Sequence, residues 1–169
     1  MVKLTKNLSQ KLNILEGGLI VKTRGFLVVK NELRKHKDVD IQLPQRGTSK
    51  AMAYDFFSPV DMVIKPNQVG KIWTDVCAYM QDNECLILNI RSSQGGKVIL
   101  TTIQGWIDCD YINADNGGNI GIFLKNISDE DYVIKKGDRI AQGAFFNFLI
   151  SDNGNTDTVR TGGYGSTGK

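Results

Sequence analysis

Several short stretches of this chain hold residue types able to do chemistry on a charged substrate. Gly105-Trp-Ile-Asp108-Cys-Asp110-Tyr111 places two carboxylates at i and i+2, on one face of an extended strand, with an aromatic ring just beyond. Paired acids can hold a water and take its proton; they can also stand exposed on a turn. Arg91-Ser92-Ser93 follows the apolar run CLILNI and precedes Gln94-Gly95-Gly96. A guanidinium and two hydroxyls at a strand end suit a phosphate, and the same residues make an ordinary turn. Gly137-Asp138-Arg139-Ile-Ala-Gln142 reads as a tight turn entering a strand, with a local Asp138–Arg139 pair. Near the C-terminus, Arg160, Ser166 and Thr167 sit among glycines, offering backbone N–H groups, hydroxyls and a guanidinium to a polyphosphate, or forming a flexible tail.

Two glycine patterns in that tail mislead. Gly163, Gly165 and Gly168 satisfy GxGxxG, and Gly163 to Lys169 satisfies GxxxxGK. Both draw their meaning from a helix N-terminus that follows and whose aligned amides hold the phosphate. No helix follows here, so neither a Walker loop nor a dinucleotide turn is expected.

The elements that must position these groups read as strands. Runs rich in Val, Ile, Thr and aromatics cover 26–30, 61–65, 69–80, 84–91, 98–107, 119–126, 132–135 and 140–150. Turn residues break them at Pro66-Asn67, Asp82-Asn83, Gly95-Gly96, Asn113–Gly118 and Lys136-Gly137. Short strands at this spacing predict an all-β sandwich, barrel or jelly roll. Three parts are expected: an extension at 1–23, a β domain at 24–150 and a C-terminal arm at 151–169. In the extension, Leu4, Leu8, Leu12, Ile14 and Leu15 among lysines allow a short amphipathic helix or a partner-packing arm.

Composition removes whole classes of function. The 169 residues, 41% apolar and 23% charged, suffice for one folded domain and its core. A net charge of +3 is too slight for a nucleic-acid stripe, so no direct nucleic-acid partner is expected. No apolar run approaches the roughly 20 residues that span a bilayer, and Lys3, Lys6, Asn7, Gln10 and Lys11 interrupt anything resembling a signal peptide. A soluble, cytoplasmic protein without a membrane partner is expected. Cys77, Cys85 and Cys109 form no CxxC pair, which argues against a disulfide framework or zinc ribbon. The one histidine, His36, lies in NELRKHKDVD and reads as a solvated loop residue, leaving little room for histidine-based catalysis.

Order and spacing add what single stretches lack. AMAYD (51–55), RSS (91–93), GWIDCDY (105–111), GDRIAQ (137–142) and RTGGYGSTG (160–168) resemble, in sequence, the five motifs of the homotrimeric dUTPase family. The upstream RGFLVV and DIQLPQRGTSKAMAYD resemble its Gram-positive bacterial and phage branch, so the likeness spans about 24–169. The resemblance implies a distorted β jelly-roll barrel, three sites at the interfaces of a homotrimer, and Mg²⁺-assisted hydrolysis of dUTP to dUMP and pyrophosphate. It implies Asp108 as the base activating the attacking water, and Tyr111 under the deoxyribose. Gly105 and Ile107 would contact the substrate, and the hairpin running to Gly121 would read uracil through backbone groups. Arg91, Ser92, Ser93 and Gln142 would hold phosphates from a neighbouring copy. Asp55 would meet the magnesium through water. Arg160, Gly165, Ser166 and Thr167 would grip the outer phosphates from a lid given by the third copy, with Tyr164 stacked on uracil.

The chain departs from the family pattern at several points. Ala53 stands where the first motif usually has glycine, Ile90 where many members have proline, and Tyr164 where phenylalanine is usual. The hairpin INADNGGNIG is longer than in the shortest members, and Cys109 between the acids reads as a passive small residue. A dCTP deaminase shares the fold and similar motifs, but needs a glutamate where Phe123 stands. The phage branch also allows a nucleotide-sensing role with a regulatory protein partner.

Overall fold

Closely spaced turns and β-branched runs leave no stretch for an α-helix among the described residues, which form fourteen strands and three 3-10 turns. The computed structural model describes residues 14–15, 18–19, 22–154 and 156–163. The strands are β1 (Ile14–Leu15), β2 (Gly18–Leu19), β3 (Gly25–Val28), β4 (Gln45–Arg46), β5 (Tyr54–Phe57), β6 (Met62–Ile64) and β7 (Val69–Trp73). They continue as β8 (Val76–Tyr79), β9 (Glu84–Asn89), β10 (Val98–Leu100), β11 (Gly105–Asp108), β12 (Gly121–Asn126), β13 (Tyr132–Ile134) and β14 (Arg139–Asn147). Every pairing described between them is antiparallel.

A five-stranded sheet in the order β11-β9-β14-β5-β4, a three-stranded sheet β10-β12-β7 and the pairs β13-β6 and β3-β8 contribute residues to one shared core. The result is the expected all-β jelly-roll architecture. Alternation sets the faces: in β12, Ile122, Leu124 and Asn126 point inward while their neighbours are half-exposed. Central β9 is buried on both faces over much of its length, which is why it reads as a continuous apolar run. Phe56, Ile72, Leu86, Leu88, Ile122 and Leu124 anchor the core between the sheets.

Four expectations change. The run 69–80 is two strands, parted by Asp75 at a positive φ of 55°, and 98–107 is two strands, parted by a turn with Ile103 at 64°. Strand β5 is missed from sequence because Asp55 sits inside it and breaks the apolar alternation. Ile14–Leu15 and Gly18–Leu19 pair as strands where a helix was one expectation, while Leu4, Leu8 and Leu12 lie outside the described residues. No helix among the described residues is long and apolar enough to cross a membrane.

Candidate active site

The predicted site residues gather into two clusters at opposite ends of β9. The first is built where β5, β14 and β9 lie side by side, with Gln142 opposite both Asp55 and Asn89. The chain leaves β9 through Ile90 into a 3-10 turn, Ser92–Gln94, capped by Arg91. Buried Gln94 locks that turn: its Oε1 accepts the Arg91 backbone N–H at 2.8 Å, and its Nε2 donates to the Tyr132 hydroxyl and the Ile140 carbonyl, both at 3.1 Å. Gln142 Nε2 donates to the Ile90 carbonyl at 3.1 Å and so steadies the same segment.

The Arg91 side chain is therefore aimed by its surroundings. Its Nε donates to Asp55 Oδ1 at 2.8 Å, and a second nitrogen reaches Ser93 Oγ at 3.4 Å. Arg139 meets the other Asp55 oxygen at 3.4 Å. Asp55, buried inside β5, is thus bracketed by two guanidiniums, and Arg139 is not locally paired with Asp138 as expected. Asp138 instead accepts the Lys135 backbone N–H at 2.8 Å and closes its own turn. An open cavity of about 390 Å³ adjoins these groups, lined by Arg91, Ser93, Lys97, Tyr132 and Arg139 among others. Ser92 and Ser93 are exposed on the turn. Arg91, Lys97 and Arg139 set three cations beside the carboxylates of Asp55 and Asp138, and with Ser93 they offer donors suited to phosphoryl oxygens.

The second cluster forms around Asp108, the last residue of β11, whose register partner on β9 is Cys85. Gly105 starts β11 because a side chain there would press on Leu88, at 3.1 Å, and Ile107 packs on the core. Beyond Asp108 the chain turns into a 3-10 helix, Cys109–Asn113. Asp108 and Asp110 therefore do not share one strand face, yet both reach one cation. Arg160 Nε donates to Asp110 Oδ1 at 2.7 Å, and an Arg160 terminal nitrogen pairs with Asp108 Oδ2. Burial pulls the Arg160 guanidinium downward, but the Asp110 and Asp108 carboxylates outweigh it and hold its pKa above the usual arginine value. Burial, the Asp110 and Asp82 charges raise the Cys109 thiol, in keeping with a passive residue.

Tyr111 is buried under this cluster. Its hydroxyl donates to the Asn119 carbonyl at 3.0 Å and accepts from Asn116 Nδ2 at 2.8 Å. Gly163 lies so close to the Tyr111 ring that a Cβ there would come within 2.5 Å of it. With Thr161 O accepting the Asp115 N–H at 3.1 Å, the described part of the arm rests on the same chain's Asp108–Asp115 segment. Tyr164, Gly165, Ser166 and Thr167 lie outside the described residues. Gly121, which opens β12, pairs with Trp73 at the end of the hairpin.

The two clusters are not brought together within one chain. Six residues of extended β9 and its exit separate Cys85, opposite Asp108, from Arg91. At ~3.3 Å per residue that is about 20 Å. Sequence reading also missed several groups. Motif spacing does not pair Asp110 with Arg160 or Arg139 with Asp55, and the one sequence sign of Gln94 is its place three residues after Arg91, as in a capping box. His36 is not a solvated loop residue: its ring is half-buried, with Nε2 3.1 Å from the Trp73 carbonyl. Phe123 stands edge-on to Trp73 with ring centroids 5.5 Å apart.

A family model described as dUTPase matches residues 39–168. The chain is 39% identical over 153 residues to the deoxyuridine 5'-triphosphate nucleotidohydrolase of Lactococcus lactis, covering 88% of this chain and 99% of that relative. The chain belongs to the dUTPase family. Its fold is similar to that of a Streptococcus mutans dUTPase, with a TM-score of 0.66 and 33% identity over 76% of this chain and 99% of that one. The Staphylococcus bacteriophage 80alpha dUTPase matches with a TM-score of 0.61 over 82% of this chain and 99% of its own, and at 23% identity that likeness speaks for the fold. Both clusters fall within the region matched by the dUTPase family model.

Proposed function

We propose that this dUTPase-family chain hydrolyses dUTP to dUMP and pyrophosphate, limiting uracil in DNA and supplying dUMP, at sites completed between copies of a cytoplasmic homotrimer. The observation that carries the site assignment is the separation of an exposed carboxylate over Tyr111 from a guanidinium and hydroxyl cluster at the other end of β9. An attacking water must stand within ~3–3.5 Å of phosphorus. Across about 20 Å of β9, one chain's Asp108 and Arg91 cannot serve the same triphosphate; two copies can.

Asp108 holds the water and takes its proton as the oxygen bonds to the α-phosphorus. The bond from that phosphorus to the α–β bridging oxygen breaks, and pyrophosphate leaves. Arg91, Ser92, Ser93 and Gln142 of the neighbouring copy hold the phosphates, donating where charge develops. Asp55 keeps Arg91 and Arg139 aimed. Asp55, whose oxygens meet Arg91 and Arg139, would touch a magnesium ion carried on the substrate phosphates through that ion's waters. Bound Mg²⁺ would supply charge neutralisation on the phosphates.

Tyr111 lies under the deoxyribose and leaves no room for a 2′-hydroxyl, while Gly105, Ile107 and the hairpin to Gly121 enclose and read uracil. The arm, residues 151–169, serves as a lid on the core at 24–150. Arg160, Gly165, Ser166 and Thr167 grip the outer phosphates, and Tyr164 stacks on the base. An exchanged arm makes the same contacts with a neighbour that it makes here within one chain, because exchange between identical copies preserves the contact set.

The test is pyrophosphate release from dUTP, dCTP, dTTP and UTP with Mg²⁺, with ammonia followed in the dCTP sample. Release from dUTP alone is expected, and Asp108→Asn should lower it by about 10²–10⁴ while nucleotide binding persists. Ammonia from dCTP, or silence on all four nucleotides, would overturn the reading.

A further inference from the structure

We propose that Asp75 is a positioning residue for base recognition, holding the hairpin that reads uracil through Asn119. This rests on the reading that the hairpin ending at Gly121 contacts the base. Asp75 is fully buried in the turn between β7 and β8, at a positive φ of 55° that is uncommon outside glycine and that Asp adopts more readily than most residues. Its carboxylate collects donors from two distant segments. Oδ1 accepts the Lys35 backbone N–H at 2.8 Å and the Asn119 side-chain N–H at 2.7 Å, and Oδ2 accepts the His36 backbone N–H at 2.7 Å. Arg34 Nε lies 3.7 Å from Oδ2.

Asn119 answers in kind. Its Oδ1 accepts the Asp75 backbone N–H at 3.0 Å, so the two residues are joined by a reciprocal pair of hydrogen bonds. The Asn119 carbonyl then accepts the Tyr111 hydroxyl at 3.0 Å and the Asn116 amide at 3.3 Å. The loop gathered by Asp75 also backs the hairpin directly: a Cβ on Gly117 would lie 2.9 Å from Leu33 and 3.3 Å from Val29. One buried carboxylate thereby ties together the 33–36 loop, the hairpin and the ring proposed to lie under the sugar. Base reading through backbone groups requires that backbone to be fixed before the substrate arrives, because a loose hairpin accepts several bases.

A residue holding only the fold would alter melting and leave substrate discrimination alone; a positioning residue moves binding more than chemistry. The full-length protein in its native oligomer is compared with Asp75→Asn and with Leu33→Ala, which spares the carboxylate and trims the side chain that stands against Gly117. For Asp75→Asn, KM for dUTP should rise about tenfold with kcat within about twofold, and preference for dUTP over dCTP should fall about tenfold. Leu33→Ala should move the same quantities in the same direction by about threefold. A folded variant of either kind with wild-type KM and wild-type base preference overturns the proposal, as does a fall in kcat at unchanged KM. If Asp75→Asn does not fold, Asn119→Ala takes its place, since it keeps the carboxylate and the 119 carbonyl and removes the side-chain link between them, with the same shifts expected. A wild-type protein inert toward dUTP would remove the functional reading and this one with it, whereas an active wild type with unaltered variants removes only this one.

Discussion

The separation of the two clusters makes a quantitative prediction about mixed oligomers. Asp108→Asn removes the carboxylate proposed to activate the water and should cost about 10²–10⁴ in turnover. Arg91→Ala removes a proposed phosphate donor and should cost about 10²–10³. Neither change should unfold the barrel: Asp108 is exposed, and Asp55 keeps Arg139 at 3.4 Å when Arg91 is lost. The two variants are then unfolded, mixed in equal amounts and refolded together. A site is whole only where Asp108 comes from an Arg91→Ala copy and Arg91 from an Asp108→Asn copy. Each choice falls right about half the time, so roughly a quarter of sites recover. Activity should climb from about 1% of wild type or less to about 25%. If both groups of one site came from a single chain, every site would lack one of them and activity would stay at the parental level. Native mass spectrometry confirms mixed assemblies, and pyrophosphate release reports activity. Mixed oligomers without recovery would refute the division of the site between copies.

Three further outcomes follow from packing and electrostatics. Gly143→Ala puts a methyl 2.8 Å from Leu88 and 3.1 Å from Phe56, and should destabilise the fold by about 1–3 kcal/mol in urea titration. Glu84, 5% exposed, is held below the usual carboxylate range, first by its hydrogen bond from Arg24 and against the opposing effect of burial. Its contribution is therefore present above about pH 4.3 and lost as pH falls through the depressed folded value; Glu84→Gln should cost about 1–3 kcal/mol at pH 7, with the gap closing toward pH 3 in parallel urea titrations. Burial pushes the Cys77 thiol up to about 11, so iodoacetamide at pH 8 should label it only after unfolding, as peptide mapping would show.

What was legible in the sequence follows from how local each signal is. Strands and turns are written in two-residue alternation and glycine or asparagine breaks, and most of them stand where the pattern puts them. The exceptions have local causes: a buried acid inside β5 hides that strand, and residues at positive φ, Asp75 and Ile103, split runs that look continuous. The candidate site groups Asp108, Arg91, Gln142 and Arg160 stand out in the sequence because they occur in motifs with a fixed order. Their partners were not. Arg139 looks like the mate of adjacent Asp138, yet the β14–β5 pairing carries it to Asp55. His36 looks solvated among lysines, yet a neighbouring strand end supplies a carbonyl to its ring.

On the proposed assignment, the same distinction would set catalysis apart from selectivity in this fold. The groups that would do the chemistry sit at strand ends and turns, where a side chain is free to meet a substrate and a short motif suffices to place it. The groups that would decide which base fits are placed by contacts spanning 44 residues of sequence, between Asp75 and Asn119. Such a contact has no short motif, since neither residue is meaningful without the other. A buried carboxylate receiving three N–H groups also tolerates substitution poorly, because any donor left without an acceptor there costs about 1–3 kcal/mol. An exposed Asp108 carries no comparable structural debt. Replacing it should therefore silence the reaction in a stable protein, while replacing Asp75 should reach the substrate only by way of the hairpin it holds.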